Sequence, residues 1–277
     1  MKTDAYPRPG ERRFGRFNWL GLWTLYEKET RRFLKVSSQT IVAPVLTSLM
    51  FLLVFSVALG RGEITIEGHP VAFAEFMASG LVMMSILQNA FANASSSILI
   101  SKVQGNIVDV LMPPLSAGEL TAAFALGGLT RGVAVAVASW VTLSLGAWAA
   151  GAAPLGVAHL DAILYYGLSA ALMMALLGIL GGIWSEKFDH LALVTNFLIT
   201  PLTFLSGTFY SVSRLPEPWH SISQFNPIFF AIDGFRYGVL GTHEGNLGAG
   251  AIALAAINVA IALVCWQGFR RGWRMKA

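Results

Sequence analysis

The feature that most constrains this chain is a succession of about six apolar stretches, each roughly 20 residues long, the length at which an α-helix crosses a hydrocarbon layer about 30 Å thick. Only 12% of the 277 residues are charged and 55% are hydrophobic, against roughly 25% charged in an ordinary soluble domain. One core in water cannot absorb that excess, so the chain reads as an all-α integral membrane protein with six transmembrane helices. Six spans use on the order of 120 residues, and no connecting segment is long enough for an independent domain. Residues 1–277 therefore form a single transmembrane domain: a tail over 1–36, a bundle over 37–268 and a second tail over 269–277. Catalysis outside the membrane has no room in such a chain.

The spans run from about Ser37 to Leu59, Val71 to Ile100, Thr121 to Ala150, a fourth ending near Trp184, Leu191 to Val212, and Gly248 to Gly268. Gly60 to Pro70 form a polar turn, and Pro113-Pro114 break the helix between the second and third spans. Basic residues count for orientation. Fifteen of the 19 Lys/Arg fall on one side, nine of them in the first 36 residues, and three on the other; Arg131 lies within the third span. Both termini are thus expected in the cytoplasm. The first 36 residues carry no apolar core followed by a small-residue cleavage site and read as mature sequence. A net charge of +4 beside apolar spans calls for anionic headgroups rather than nucleic acid. The single cysteine, Cys265, can form no intrachain disulfide.

Trp19 to Val36 predict an amphipathic interfacial helix. At about 100° per residue, Trp19, Leu22, Trp23, Tyr26, Phe33 and Leu34 share one arc, with Lys28, Arg31, Arg32 and Lys35 opposite and Glu27 four residues before Arg31. Such a helix can anchor the chain to the membrane surface or dock a partner. The second span carries a polar stripe, Ser85, Asn89, Asn93 and Ser96, on one face. Unpaired amides are costly in hydrocarbon, so this face meets another helix or lines a solute path. The fifth span repeats the pattern with Asn196, Thr200, Thr203 and Gly207, and Pro201 within it predicts a kink. Arg131 either snorkels to headgroups or pairs with a carboxylate. Gly127, Gly128, Gly132, Gly178, Gly181 and Gly182 allow close helix packing.

After the fifth span, Leu215-Pro216-Glu217-Pro218-Trp219 make a rigid turn, and Asn226-Pro227 supply an N-cap and a Pro at the first helical position. A helix from about Ile228 to Val239 is too short to span and too apolar for water. A re-entrant helical hairpin between the fifth and sixth spans follows, with Asp233 and Arg236 spaced to pair. Phosphate-loop and H-E-x-x-H signatures and Cys/His clusters are absent. Three functions fit these residues: a transporter driven by another subunit, an ion-coupled carrier, and a membrane scaffold. No acid lies deep in the bundle, as a proton-coupled carrier would need.

The sequence resembles the membrane subunits of ABC type-2 transporters over nearly its whole length, close to the bacterial exporter permeases grouped with nodulation-factor and drug exporters. The resemblance is carried by Leu202 to Ser211, continuing through Leu215-Pro216 and Trp219 to Asn226-Pro227 and Gly234 to Gly238, and by Gly80 to Met84 with Asn89 to Asn93. It implies a six-span permease of the bacterial cytoplasmic membrane that exports an amphipathic, lipid-linked or drug-like substrate by alternating access at a homodimer axis. Two copies of a separate ABC ATPase would hold ATP and magnesium; this chain would hold no cofactor and no metal. Ser85, Asn89, Asn93, Ser96, Asn196, Thr200, Thr203 and Gly207 would line the substrate path. Glu27 and Arg31, with the segment containing Gln104, Gly105, Asn106 and Asp109, would couple to the ATPase, and Pro216, Trp219, Asn226, Pro227 and Arg236 would form the outer lid.

Overall fold

Five helices in the computed structural model, which describes residues 17–58, 62–66, 68–149 and 153–275, are long and apolar enough to cross a membrane. They are Ser38–Ser56, Ala117–Trp148, Leu160–Trp184, Phe188–Thr208 and Leu247–Arg271. The basic tail through residue 16, Arg61 and Lys276 lie outside the described residues. The segment expected as the second span forms the long helix α3 (Phe73–Val103), which is too rich in Ser and Asn to join the apolar set. The reason is its position. Of its 31 residues, 24 are buried, so protein rather than lipid surrounds it and its polar side chains find partners on neighbouring helices.

Two helices precede it, α1 (Trp19–Lys35) and, after a π-turn at Ser38–Val42, α2 (Ala43–Ala58). The connection to α3 is not the plain turn expected. Strands β1 (Glu63–Ile66) and β2 (His69–Ala72) form an antiparallel hairpin, pairing Glu63 with Ala72 and Ile66 with His69. Alternation drives it: Ile64, Ile66 and Val71 are buried while Glu63 and Thr65 are exposed. Among the described residues the regular structure is thus helical apart from this small hairpin.

A five-residue helix, α4 (Ile107–Leu111), follows α3 across Gly105, whose φ of +73° ends the long helix without a Cβ clash. The two prolines then separate α4 from α5 (Ala117–Ala149). Ser116 and Glu119 open α5 with a capping box: Glu119 N–H donates to Ser116 Oγ, and Ser116 N–H donates to Glu119 Oε2. Both α5 and α6 (Leu160–Trp184) pack along α3 at contact distance. A Cβ at Gly178 would lie 2.5 Å from Phe91 O, and one at Gly128 would lie 2.9 Å from Ala90 O. Small residues are what let three long helices approach this closely.

The fifth apolar helix contains α7 (Phe188–Val194), a π-turn at Thr195–Ile199, α8 (Thr200–Thr203) and a second π-turn at Phe204–Thr208. Pro201 does not break it. The π-turn just before Pro201 accommodates the missing N–H and the bulk of the ring, and the backbone leaves helical geometry at Ser206 and Gly207 instead. The segment that follows holds α9 (Trp219–Gln224) and α10 (Pro227–Leu240), the latter packed on α6, α3 and α11 (Leu247–Arg271). Asn226 caps α10 as expected, its Oδ1 accepting from Ile228 N–H at 3.0 Å.

Candidate functional site

The polar stripe of α3 finds partners on three other helices of the same chain, although Asn93 Nδ2 is buried without one. At its N-terminal end Ser85 Oγ donates to Leu81 O, lies 3.1 Å from Ser48 Oγ of α2, and accepts from Ser139 Oγ of α5 at 3.4 Å. One turn on, Asn89 Nδ2 donates to Ser85 O and its Oδ1 accepts from Arg131 Nη2 at 3.1 Å. Arg131 therefore spends its charge on an amide of the neighbouring helix. Asn93 is fully buried; its Oδ1 and backbone carbonyl both accept from Arg32 Nη2, at 3.1 and 2.8 Å. Ser96 Oγ donates to Asn93 O and accepts from Arg32 Nη1. Of the two roles open to this stripe, these partners favour interhelical hydrogen bonding.

Arg32 reaches the stripe because the face that α1 packs on its neighbours covers only one edge of its apolar arc. The buried row is Leu22, Leu25, Glu29 and Phe33, facing α5 and α3, whereas Trp19, Trp23 and Leu34 of the expected apolar arc are exposed. Arg32 borders the buried row and turns inward. Beside it Glu29, 0% exposed, accepts from Ser97 Oγ at 2.7 Å and pairs with Arg32 at 3.2 Å. An acid within an otherwise apolar row at helical spacing was the available signal for this contact. The N-terminus of α1 is tied down too: Asn18 N–H donates to Glu119 Oε1 at 2.5 Å, and Asn18 Nδ2 donates to Pro114 O at 3.1 Å. Glu119 thus closes its own helix cap and fastens α1 at once.

The second expected stripe does not hold together. Asn196 is exposed, Thr200 is half-buried, and Thr203 and Gly207 are buried. The two π-turns each shift the register by a residue, so positions four apart no longer share one face. Thr203 Oγ1 bonds back to Ile199 O, and Gly207 O faces α10.

On the side of the α3–α4 connection, Asn106, Asp109, Val110 and Pro113 share a groove of about 400 Å³ with Asn18, Gly21, Thr24 and Lys28 of α1. Gln104 and Gly105 precede this groove, Gln104 accepting from Asn106 Nδ2 at 3.3 Å. Glu27 and Arg31 form the expected i, i+4 pair at 2.5 Å on the exposed surface of α1. Close by, buried Lys102 donates from Nζ to Ile183 O at 2.7 Å and Ser185 O at 2.6 Å. This cation sits on the carbonyl end of α6, where the helix dipole favours it. Nothing in the local sequence singled it out.

The residues expected in the outer lid gather at the other end. Arg236 donates from Nη2 to Gly207 O at 2.7 Å and stacks its guanidinium 3.7 Å from the centre of the Phe76 ring. Asn226 Nδ2 donates to Ser206 Oγ at 2.8 Å. Pro227 opens α10, while Pro216 and Trp219 lie on the approach to α9, with Trp219 exposed. The expected ion pair between Asp233 and Arg236 is replaced by separate partners: the Asp233 carboxylate accepts from Glu244 N–H and Gly245 N–H at 2.8 and 2.9 Å. Burial raises the Asp233 carboxyl above the ordinary carboxylate range, while these two N–H groups and Arg236 pull it down.

The profile of the ABC-2 type transporter family matches residues 21–240, from the first turns of α1 to the end of α10. The chain belongs to this family. The permease is 33% identical over 262 residues to the inner membrane transport permease YadH of Escherichia coli (strain K12), covering 92% of this chain and 96% of the relative. It is 26% identical over 239 residues to nodulation protein J of Rhizobium leguminosarum bv. viciae, covering 84% and 86%. As an ABC-2 permease it is the membrane subunit of a transporter. The Ser116–Glu119 capping box, the α1–α3 knot and the Arg236–Gly207 and Asn226–Ser206 contacts fall inside the matched region, whereas Asn18, Glu244 and Gly245 lie outside it.

Proposed function

We propose that the permease forms the membrane half of an ATP-driven exporter of the bacterial inner membrane. Two copies pair, each with six spans counting α3, and each engages one copy of a separate ABC ATPase that holds ATP and magnesium. Both termini lie in the cytoplasm, in keeping with the basic residues collected on that side. The α9–α10 segment is a re-entrant lid on the outer side, and the exposed aromatic face of α1 sits at the cytoplasmic headgroup level. The cargo is an amphipathic, lipid-linked or drug-like compound moved outward along the pairing axis, where exposed Asn196 and half-buried Thr200 remain available to it.

The observation that carries this reading is the double attachment of α1. Its N-terminus is bonded to Pro114 O and Glu119, next to the groove holding Asn106 and Asp109, and its C-terminal half is bonded to Asn93, Ser96 and Ser97 of α3. An ATPase seated in that groove would push on α1 and α4 together, and the buried Glu29–Arg32 knot would carry the movement into α3. Glu27 and Arg31, on the exposed side of α1, would widen the contact.

Purification of the tagged permease from native membranes, with mass spectrometry and an ATPase assay on the eluate, tests this reading. A stoichiometric nucleotide-binding subunit with vanadate-sensitive hydrolysis is the expected result. Substrate flux driven by a proton gradient with no such subunit present would replace it with an ion-coupled carrier.

A further inference from the structure

The α7–α8 helix is fastened to the bundle at its two ends and stands away from it between them. At the lid end, Gly207 O is held by Arg236, Ser206 by Asn226, and Thr208 O approaches Gly80 so closely that a Cβ there would lie 2.5 Å away. At the opposite end Leu191 reaches Gly181 of α6. Between these anchors a cleft of about 780 Å³ opens, within the size range of small-molecule sites. Its walls are Met173 and Leu177 of α6, Leu198 and Leu202 of the α7–α8 helix, and Ile257 and Ile261 of α11. Exposed Trp219, Ile222 and Phe225 of the α9 segment roof it, Phe225 at 87% exposure.

The chemistry of the lining is graded. No charged side chain lines the cleft, and its polar side chains, Tyr210, Ser223 and Asn226, all belong to the lid end. An apolar cavity of this kind does not hold water, and it lies between helices of membrane-spanning length. What fills it is therefore uncharged hydrocarbon, entered from the side, with a polar portion at the lid end where hydroxyl and amide groups meet it. We infer that this cleft is a binding site for the acyl chain of a membrane phospholipid from the lid-side leaflet, held between the α7–α8 helix and α11. The inference requires only that the chain spans a membrane; it is independent of the ATPase, the cargo and the direction of transport. A seated chain would fill the gap behind the α7–α8 helix and set how far that helix can move towards α6.

Photolabelling tests it. The full-length permease is placed in nanodiscs of phosphatidylethanolamine and phosphatidylglycerol containing a small fraction of phosphatidylcholine with a diazirine in its acyl chain. After irradiation, labelled residues are mapped by mass spectrometry. Labelling at Leu198, Leu202, Ile257 and Ile261 should exceed that at Leu46, Met50 and Val54, exposed residues of α2, by several-fold. Leu202→Trp and Met173→Phe, which fill the cleft from opposite walls, should each remove most of that excess while leaving the melting temperature unchanged. Equal labelling of cleft and α2 residues would overturn the inference. So would an excess that survives both fillings in correctly folded protein. Efficient cross-linking between two copies through Leu198→Cys, with lipid labelling lost from the cleft, would assign it instead to a second copy of the chain.

Discussion

The Arg236 guanidinium donates to the carbonyl oxygen of Gly207 at 2.7 Å, fastening α10 to the point where the fifth apolar helix breaks. Gly207 sits at φ +83°, a conformation that side chains rarely tolerate, and its carbonyl is thereby turned towards α10. The contact links three parts of the chain, because the same guanidinium lies over the ring of Phe76 near the start of α3.

Replacing Arg236 with Met should therefore cost about 1–3 kcal/mol by leaving the buried Gly207 carbonyl without its donor. Arg236→Lys should recover little of this, since an ammonium cannot both stack on the Phe76 ring and present a planar donor to the carbonyl. Thermal melting of the purified protein checks both; full stability of the lysine variant would refute the account.

The Glu29–Arg32 pair should be strongly coupled. Arg32→Gln alone leaves a fully buried carboxylate with only Ser97 in its support, a loss of about 3–5 kcal/mol for a buried pair, at the lower end here because Arg32 keeps 29% exposure. Adding Glu29→Gln removes the stranded charge, so the double variant should be more stable than Arg32→Gln. A double-mutant cycle measured by melting decides this, and simple additivity would show that the pair does not interact.

Asn93 and Asn196 look alike in sequence and should behave differently. Asn93→Leu takes one of its acceptors from Arg32 Nη2 in the buried knot and should destabilise by about 1–3 kcal/mol, whereas Asn196→Leu, at an exposed position, should change melting by no more than about 0.5 kcal/mol. Equal losses at the two positions would contradict the split between the stripes. If Asn196 lies on the proposed transport axis, its leucine variant loses substrate flux with stability intact.

Lys102 should hold the α6–α7 connection in place. Lys102→Met uncovers the carbonyls of Ile183 and Ser185, which should loosen residues 185–188 and speed tryptic cleavage after exposed Lys187. Quantitative mass spectrometry of timed digests measures the rate. An unchanged rate in the folded variant would show that Lys102 plays no part in ordering this connection.

Much of the architecture was readable from residue pattern. The apolar helices, the break at Pro113-Pro114, the Asn226-Pro227 start of α10 and the Glu27–Arg31 pair depend on residues adjacent in sequence or one helical turn apart, where local rules act. The helix expected over Trp19 to Val36 was found almost to the residue, but the burial of Leu22 and Phe33 against neighbouring helices was not legible, because an apolar arc does not tell whether lipid or a neighbouring helix will cover it. The fifth helix shows the other limit: its polar face was drawn with a uniform period, and two π-turns broke that period.

The sequence by itself determined that this chain lies in a membrane, roughly where its long helices run, and the family to which it is similar, because hydrophobic length and helix breakers are local properties. Only the tertiary structure decided what the polar side chains do. It set Arg32 and Arg131 on Asn93 and Asn89, gave Lys102 to the end of α6, separated Asp233 from Arg236, and opened a cleft behind the α7–α8 helix. Away from water a polar group must take the partner that packing brings within reach, and that partner lies tens of residues away along the chain.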